Sequence, residues 1–367
     1  MKSHGDEFRK TNYVSPQQSK TIFAISNCRT SVYGAHKDLC DECGYERISY
    51  NSCRNRHCPK CQSFAKENWI EKQQQNLLNV QYFHAVFTVP DDLNIVFMQN
   101  QTTMYNLLFK AVSETLMELS KDMKYLGATP GITIVLHTWG QSLNFHPHLH
   151  CIITGGGLSE CGKWINSRKK FFIPVKVMSK KFRGKFMYYF NRAKIKFFGS
   201  AKHLKNDIAL ADFVNHLYKK DWIVYCKPPF GNANKVIDYL GRYTHRVAIS
   251  NNRIVKHIDD TVSFNWRDYT DNNKGKVMTL SVNEFIRRFL MHVLPLGFRK
   301  IRHFGIFASR DKSKRIILCK KLTNTKILIT ATDSVMIKLS KIFGSDFNLC
   351  PSCKSGHLSR ASPMDVN

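Results

Sequence analysis

"NFHPHLHCII", residues 144–153, places His146, His148 and His150 at alternate positions. Strand side chains alternate between faces, so in an extended chain the three imidazoles share one face. The residues that follow, Cys151, Ile152 and Ile153, are apolar and read as the buried continuation of the strand. A lone histidine on a strand is ordinarily a packed or solvated residue. Three on one face gain little from one another unless a divalent ion takes their lone pairs. Just upstream, "GITIVLHTWG" (131–140) is a second strand-like run, and the polar "QSLNF" between the two is short enough for a turn. The pair predicts an antiparallel hairpin, with the glycine triplet Gly155–Gly157 ending its second strand.

Other segments have the same mixed texture. "YFHAVFTVP" (82–90) predicts a strand ending at Pro90, and residues 94–120 have helical spacing. "WIVYCKPPFG" (222–231) reads as a strand and turn, and "RIVKHIDDTVSFNWRDY" (253–269) as a hairpin. "SVNEFIRRFLMHVL" (281–294) is a helix with Pro295 just beyond it. "NKVIDYLGRYTHRVAIS" (234–250) begins helical and becomes β-branched. Residues 163–203 are dense in Lys and aromatics. They suit a surface that tracks a nucleic-acid backbone and stacks bases, and equally a basic surface over an aromatic core.

The chain has 367 residues, with 56 Lys and Arg against 27 acids and a net charge of +29. Such a field selects a polyanion as partner. No amphipathic basic helix stands out, and no apolar run is long enough to span a bilayer, which argues against a membrane role. The polar N-terminus "MKSHGDEFRK" is not a secretory signal, so a reducing cytoplasm is expected. There, clustered cysteines suggest metal rather than disulfides.

Of 12 cysteines, half lie before residue 75. Cys40 and Cys43 form one CxxC knuckle, and Cys58 and Cys61 another after fourteen intervening residues. Two such knuckles supply four thiolates for a tetrahedral structural zinc. A helix is expected after them, near 62–79. Cys53 and His57 are spare ligand types in the same loop, and Cys28 and His36 weaker spares. Arg47, Arg54, Arg56 and Lys60 sit among the knuckles and could touch phosphate. "CPSC" (350–353) is a further pair, either half of a site completed elsewhere or a turn with two thiols.

A polyanionic substrate beside a metal site needs a nucleophile. Tyr239 and Tyr243 in "DYLGRYTHR" are four apart and share one helical face, with Arg242, His245 and Arg246 beside them to hold a phosphate. The adjacent pair Tyr188 and Tyr189 would point apart on a helix.

Together "HPHLH", "YLGRYTHRVAISN" and "SCRNRHCPKC" resemble the HUH-superfamily transposases of the insertion-sequence-91 family, and "FNWRDY" and "EFIRRFLMHVLPLGFRKIRHFG" are similar to family blocks further on. The resemblance covers most of the chain. It implies an α+β HUH endonuclease fold, a central antiparallel sheet flanked by helices, preceded by a small zinc-ribbon-like domain. The expected domains are a zinc module over 1–75, the endonuclease over 80–305 and a basic C-terminal region over 306–367. The resemblance also implies a rolling-circle transposase that nicks and rejoins single-stranded DNA through a 5′-phosphotyrosine link. His148 and His150 would hold Mg²⁺ or Mn²⁺, with His146 the expected third ligand and His245 the second choice. Tyr239 and Tyr243 would be the nucleophiles. The same chemistry would serve a replication initiator or relaxase. Readings of other classes are a zinc-dependent DNA-binding regulator with an inactive nuclease domain, and a three-histidine zinc hydrolase.

Overall fold

The computed structural model describes residues 1–168, 172–227, 236, 241, 248–326, 335–344 and 346–364. The hairpin expected around "QSLNF" is the centre of its largest sheet. β4 (Thr129–Trp139) and β5 (Phe145–Leu158) pair antiparallel, with His137 opposite His148 and Val135 opposite His150. β3 (Tyr82–Thr88) pairs with β5, β7 (Val224–Lys227) with β3, and β11 (Ile301–Gly305) with β4, giving the order β11-β4-β5-β3-β7. The short β6 (Trp164–Asn166) pairs with the far end of β5.

Period-two alternation divides this sheet into two unlike faces. Phe83, Ala85 and Phe87 of β3, Ile132, Ile134 and Leu136 of β4, and Leu149, Cys151 and Ile153 of β5 are buried in one core. That core is completed by α4 (Asn94–Gln99), α5 (Gln101–Lys121) and α6 (Val175–Phe190). The intervening residues, among them Tyr82, His84, His137, His148, His150 and Ile152, therefore belong to the other face. The aromatics Phe172, Phe182, Phe186 and Phe190 are buried in the first core, so much of the Lys- and aromatic-rich stretch is packing on the side away from the histidines.

Two local expectations are revised. The single helix over 94–120 is broken at Asn100, which leaves helical dihedrals (φ −131°, ψ 43°). Its side-chain amide instead brackets Lys196, donating to that carbonyl at 2.8 Å and accepting from that N–H at 2.9 Å. The glycine triplet does not end β5, which runs on to Leu158. A Cβ at Gly156 would lie 2.6 Å from the Ile165 carbonyl, and one at Gly157 2.7 Å from the Thr129 carbonyl. The glycines let three backbones approach, rather than turning the chain.

A second unit has its own core. β8 (Ile254–Ile258), β9 (Thr261–Asp268) and β10 (Lys274–Ser281) form a three-stranded antiparallel sheet, the first two being the expected hairpin. The helix Val282–Met291 follows, capped by Ser281, whose hydroxyl accepts from Glu284 N–H. It buries Val282, Ile286, Phe289 and Leu290 against this sheet and against α1 (Gly5–Thr11) and α2 (Pro16–Ser26). α2 was readable in "SPQQ": Ser15 and Gln18 form a capping box with Pro16 at the first turn.

This unit grips the tip of the β4–β5 hairpin. Leu143 is buried in its core at φ +63°. Arg253 donates to the Gln141 carbonyl, Arg288 to Ser142 at 2.9 Å, and His292 Nε2 to Leu143 at 3.1 Å. Because a carbonyl only accepts, His292 carries its proton on Nε2, and Nδ1 accepts from the Thr138 hydroxyl at 3.2 Å. Burial lowers the His292 pKa to about 4. The unfolded imidazole, near 6.5, therefore takes up a proton first, so its contribution is complete above about pH 6.5 and lost as pH falls towards 4. Denaturant titrations between those values should show a loss of stability that His292→Gln reduces by up to roughly 3 kcal/mol. An unchanged pH profile in the variant would refute this assignment.

Among the described residues beyond 306, the helix Val335–Phe343 lies on the helix Pro59–Gln74, where Lys338 pairs with Glu71 at 2.7 Å. The helix Lys312–Leu322 packs Ile316 and Cys319 on Leu78, Ile306 and Phe307. Near the C-terminus, β12 (Leu358–Met364) pairs with β1 (Ala35–Cys40), which also pairs with β2 (Glu46–Tyr50).

Candidate active site and metal-binding clusters

His148 and His150 are brought together on β5, with their Nε2 atoms 3.1 Å apart. His148 donates its Nδ1 proton to the His146 carbonyl at 2.7 Å, which leaves the Nε2 lone pair facing His150. On the far side, His150 Nδ1 lies 2.9 Å from His84 Nε2, and these two rings stack. Burial lowers the pKa of His148 to about 4 and of His84 to about 3, and that of His150 well below its ordinary value. The imidazoles are therefore neutral near pH 7, the form that binds metal.

The third histidine of the cluster is His137, not His146. His137 comes from β4, directly opposite His148, and its ring centroid lies 4.3 Å from that of His150. One nitrogen from each of His137, His148 and His150 lies within 4.8 Å of the others. His146 shares their face by alternation, but its Nδ1 turns to Asp91 at 3.2 Å. Two imidazole nitrogens bound about 2.1 Å from one ion at a right angle would lie roughly 3.0 Å apart, so the observed spacing fits a small divalent ion.

A histidine that donates to or accepts from a ligand's second nitrogen fixes its orientation, and removing it typically lowers metal affinity or activity about 10- to 100-fold. His84→Ala should weaken manganese binding by the histidine cluster by about that factor, as read by titration of the ion. Unchanged manganese affinity would make His84 a packing residue only.

The cysteines do not group as the knuckle spacing suggested. Cys40 and Cys43 do not meet Cys58 and Cys61. The fourteen-residue spacer contains β2, so the two knuckles flank opposite ends of the β1–β2 hairpin. A strand of this length spans roughly 20 Å. Instead Cys58 and Cys61 join the former spares Cys28 and Cys53, with Cys61 Sγ 3.6 Å from both spares. Cys40 and Cys43 meet Cys350 and Cys353.

The first cluster sits at the start of α3 (Pro59–Gln74), the helix expected near 62–79, with Cys58 as its N-cap. The helix N-terminus favours thiolates there. Sulfur-to-sulfur contacts hold Cys61 down at about 5, while burial holds Cys53 up near 12. His57 is not a ligand. It is fully buried, and its Nε2 accepts from Leu294 N–H at 3.1 Å, docking the cluster on the central unit. Arg56 adds a hydrogen bond to the Phe298 carbonyl.

Tyr239, Tyr243, Arg242, His245 and Arg246 lie outside the described residues. Two residues of their segment are described. Val236 is buried against Tyr82 and Ile152, with Trp69 and Leu77 packed on them. Ile152 belongs to the histidine face. Gly241 lies against Ile70 of α3. The competitor Tyr189 hydrogen-bonds Glu114, and Tyr188 is half exposed under Arg192, both on α6 and far from this face in the fold.

Residues 131–315 match the family model described as "Putative transposase", and residues 1–89 match "Transposase zinc-binding domain". The chain is 42% identical to "Putative transposase y4qJ" of Sinorhizobium fredii (strain NBRC 101917 / NGR234), over 98% of this chain and 92% of that one. The chain belongs to the insertion-sequence-91 family of transposases. It is also 28% identical to "Transposase for insertion sequence element IS801" of Pseudomonas savastanoi pv. phaseolicola, over 79% of this chain and 70% of that one. No solved structure matches the transposase. Its α+β architecture carries an N-terminal zinc-binding domain whose cysteine clusters fit structural zinc. No helix among the described residues is long and apolar enough to cross a membrane.

Sequence reasoning missed His137, His84 and the grouping of the cysteines. His137 had a partial signal, its place in the other strand of the hairpin, but the register shifts between His137 and Trp139, so counting back from the turn does not by itself set His137 opposite His148. His84 had a weaker one, its place in a strand of the same texture.

Proposed function

We propose that this transposase is a metal-dependent single-strand DNA endonuclease and strand transferase, moving its element by rolling-circle transposition through a 5′-phosphotyrosine intermediate. The observation that carries the reading is the pair of Nε2 atoms of His148 and His150, 3.1 Å apart with His137 beside them. These three histidines would hold Mg²⁺ or Mn²⁺, imidazole ligands suiting manganese better. Bound there, such an ion supplies Lewis-acid polarisation of a scissile phosphate.

Tyr239 or Tyr243 is the nucleophile. Its oxygen bonds to phosphorus as the bond from phosphorus to the 3′-oxygen breaks, and the leaving oxygen takes up a proton to become a 3′-hydroxyl. The covalent link conserves the phosphodiester's energy, so rejoining needs no ATP. Two tyrosines let one hold a donor end while the other cuts the target. Arg242 and Arg246 neutralise phosphate charge. Val236 and Gly241, the described residues on either side of Tyr239, lie against Ile152 and Ile70, which favours this reading. The helices α4–α6 cover the opposite face, so DNA approaches from the histidine side.

The test is a covalent adduct. The protein is incubated with manganese and labelled single-stranded DNA bearing the element's ends, then run on a denaturing gel. Wild type should carry label, and the Tyr239→Phe, Tyr243→Phe double variant should not. Cleavage without adduct would replace the tyrosine mechanism with metal-activated water. Binding without cleavage would favour a regulatory protein.

A further inference from the structure

We infer that Cys40, Cys43, Cys350 and Cys353 form a second four-thiolate site for zinc or a similarly thiophilic divalent ion. It fastens the C-terminal segment onto the N-terminal domain. The ligands come from opposite ends of the chain, and Cys350 and Cys353 lie beyond both family matches, which end at residues 89 and 315.

The geometry is that of a tetrahedral centre. Cys40 Sγ is 3.8 Å from Cys353 Sγ, Cys43 Sγ is 3.7 Å from Cys350 Sγ, and all four sulfurs lie within 4.8 Å of one another. Four sulfurs each about 2.3 Å from a tetrahedral ion would be separated by roughly 3.8 Å. A disulfide requires about 2.05 Å, far shorter than either contact. Cys40 and Cys350 are buried, while Cys43 is exposed and Cys353 half-buried, so the site sits just below the surface.

The surrounding backbone is built for this approach. Gly356 donates its N–H to Cys353 Sγ at 3.3 Å. A Cβ on Gly356 would stand 2.6 Å from Cys40 Sγ, so no larger residue lets the two knuckles close. Cys350 N–H donates to the Gly356 carbonyl at 2.8 Å, folding the C-terminal knuckle into a tight turn. Asp41 ties the two turns together twice. Its N–H donates to the His357 carbonyl at 3.1 Å, and its carboxylate accepts from His357 N–H at 2.7 Å. From this point β12 runs antiparallel along β1, from Leu358 opposite Cys40 to Met364 opposite Ala35. Without the centre, that strand would be held by backbone pairing and, among its described side chains, by the burial of Leu358.

The site is independent of the histidine and tyrosine chemistry, so its test does not depend on cleavage. Zinc-free full-length protein, kept reduced, is titrated with cobalt, and the thiolate-to-cobalt charge-transfer absorption is followed; histidine-bound cobalt does not give it. Wild type should saturate at two thiolate-bound equivalents. The double variants Cys350→Ser/Cys353→Ser and Cys58→Ser/Cys61→Ser should each saturate at one. Hydrogen exchange on the zinc-loaded protein should show β12 amides protected in wild type and exposed in the Cys350→Ser/Cys353→Ser variant, with β4 and β5 unchanged. Saturation of wild type at one equivalent would overturn the proposal. So would two equivalents remaining in the Cys350→Ser/Cys353→Ser variant, or disulfides linking these four residues in reduced preparations. Because the wild-type count decides by itself, a variant that fails to fold does not rescue the idea.

Discussion

His150→Ala will abolish strand cleavage while leaving DNA binding nearly intact. Its ring sits between His148, at 3.1 Å, and His84, at 2.9 Å, and is closer by centroid to His137 than to either. Removing it takes away one of the three proposed ligands and, at once, the ring on which His84 stacks. A bound ion contributes several kcal/mol to a phosphate transition state, and each 1.36 kcal/mol is tenfold in rate. A fall of at least about 10³-fold is expected. Affinity for single-stranded DNA should change only a few-fold, because the excess of +29 charges is spread over the chain. Rates and binding would be measured on the same preparation. Cleavage within tenfold of wild type would remove His150 from the metal site.

The second large effect is at the first cysteine cluster. Cys58→Ser will cost more than about 4 kcal/mol of stability, the range in which loss of a structural metal falls. Cys58 stands at the N-cap position of α3, and its neighbour His57 is locked to Leu294. Downstream, Trp69 of α3 packs with Tyr82, Ile152 and Val236. The variant should therefore lose one zinc per chain, expose α3 to protease and lose DNA cleavage as well. Retention of zinc with normal protection of α3 would show that Cys58 is not a ligand.

What could be read from the sequence depended on how local the cause was. The alternation of His148 and His150 is a property of five consecutive residues, and it survived folding unchanged. The third position depended on strand register, which "HPHLH" alone does not contain, and His146 was drawn off by Asp91. The knuckle pattern gave the right ligand type and the wrong partners, because fourteen residues can be a loop or a hairpin, and here they held β2. No local feature of "LSRASPM" announces a strand; its partner lies more than three hundred residues away. Helix 94–120 was right in periodicity, but its break came from Asn100 meeting a segment that periodicity cannot see.

The hairpin tip carries one more consequence. The carbonyls of Gln141, Ser142 and Leu143 are each clamped by a side chain of the second unit, two guanidinium groups and the neutral imidazole of His292, and the strands behind them are paired on both edges. The histidines thus stand on an anvil. If one DNA end must be exchanged for another during a turnover, substitutions along β4 that spare the histidines should leave the rate of that exchange nearly unchanged.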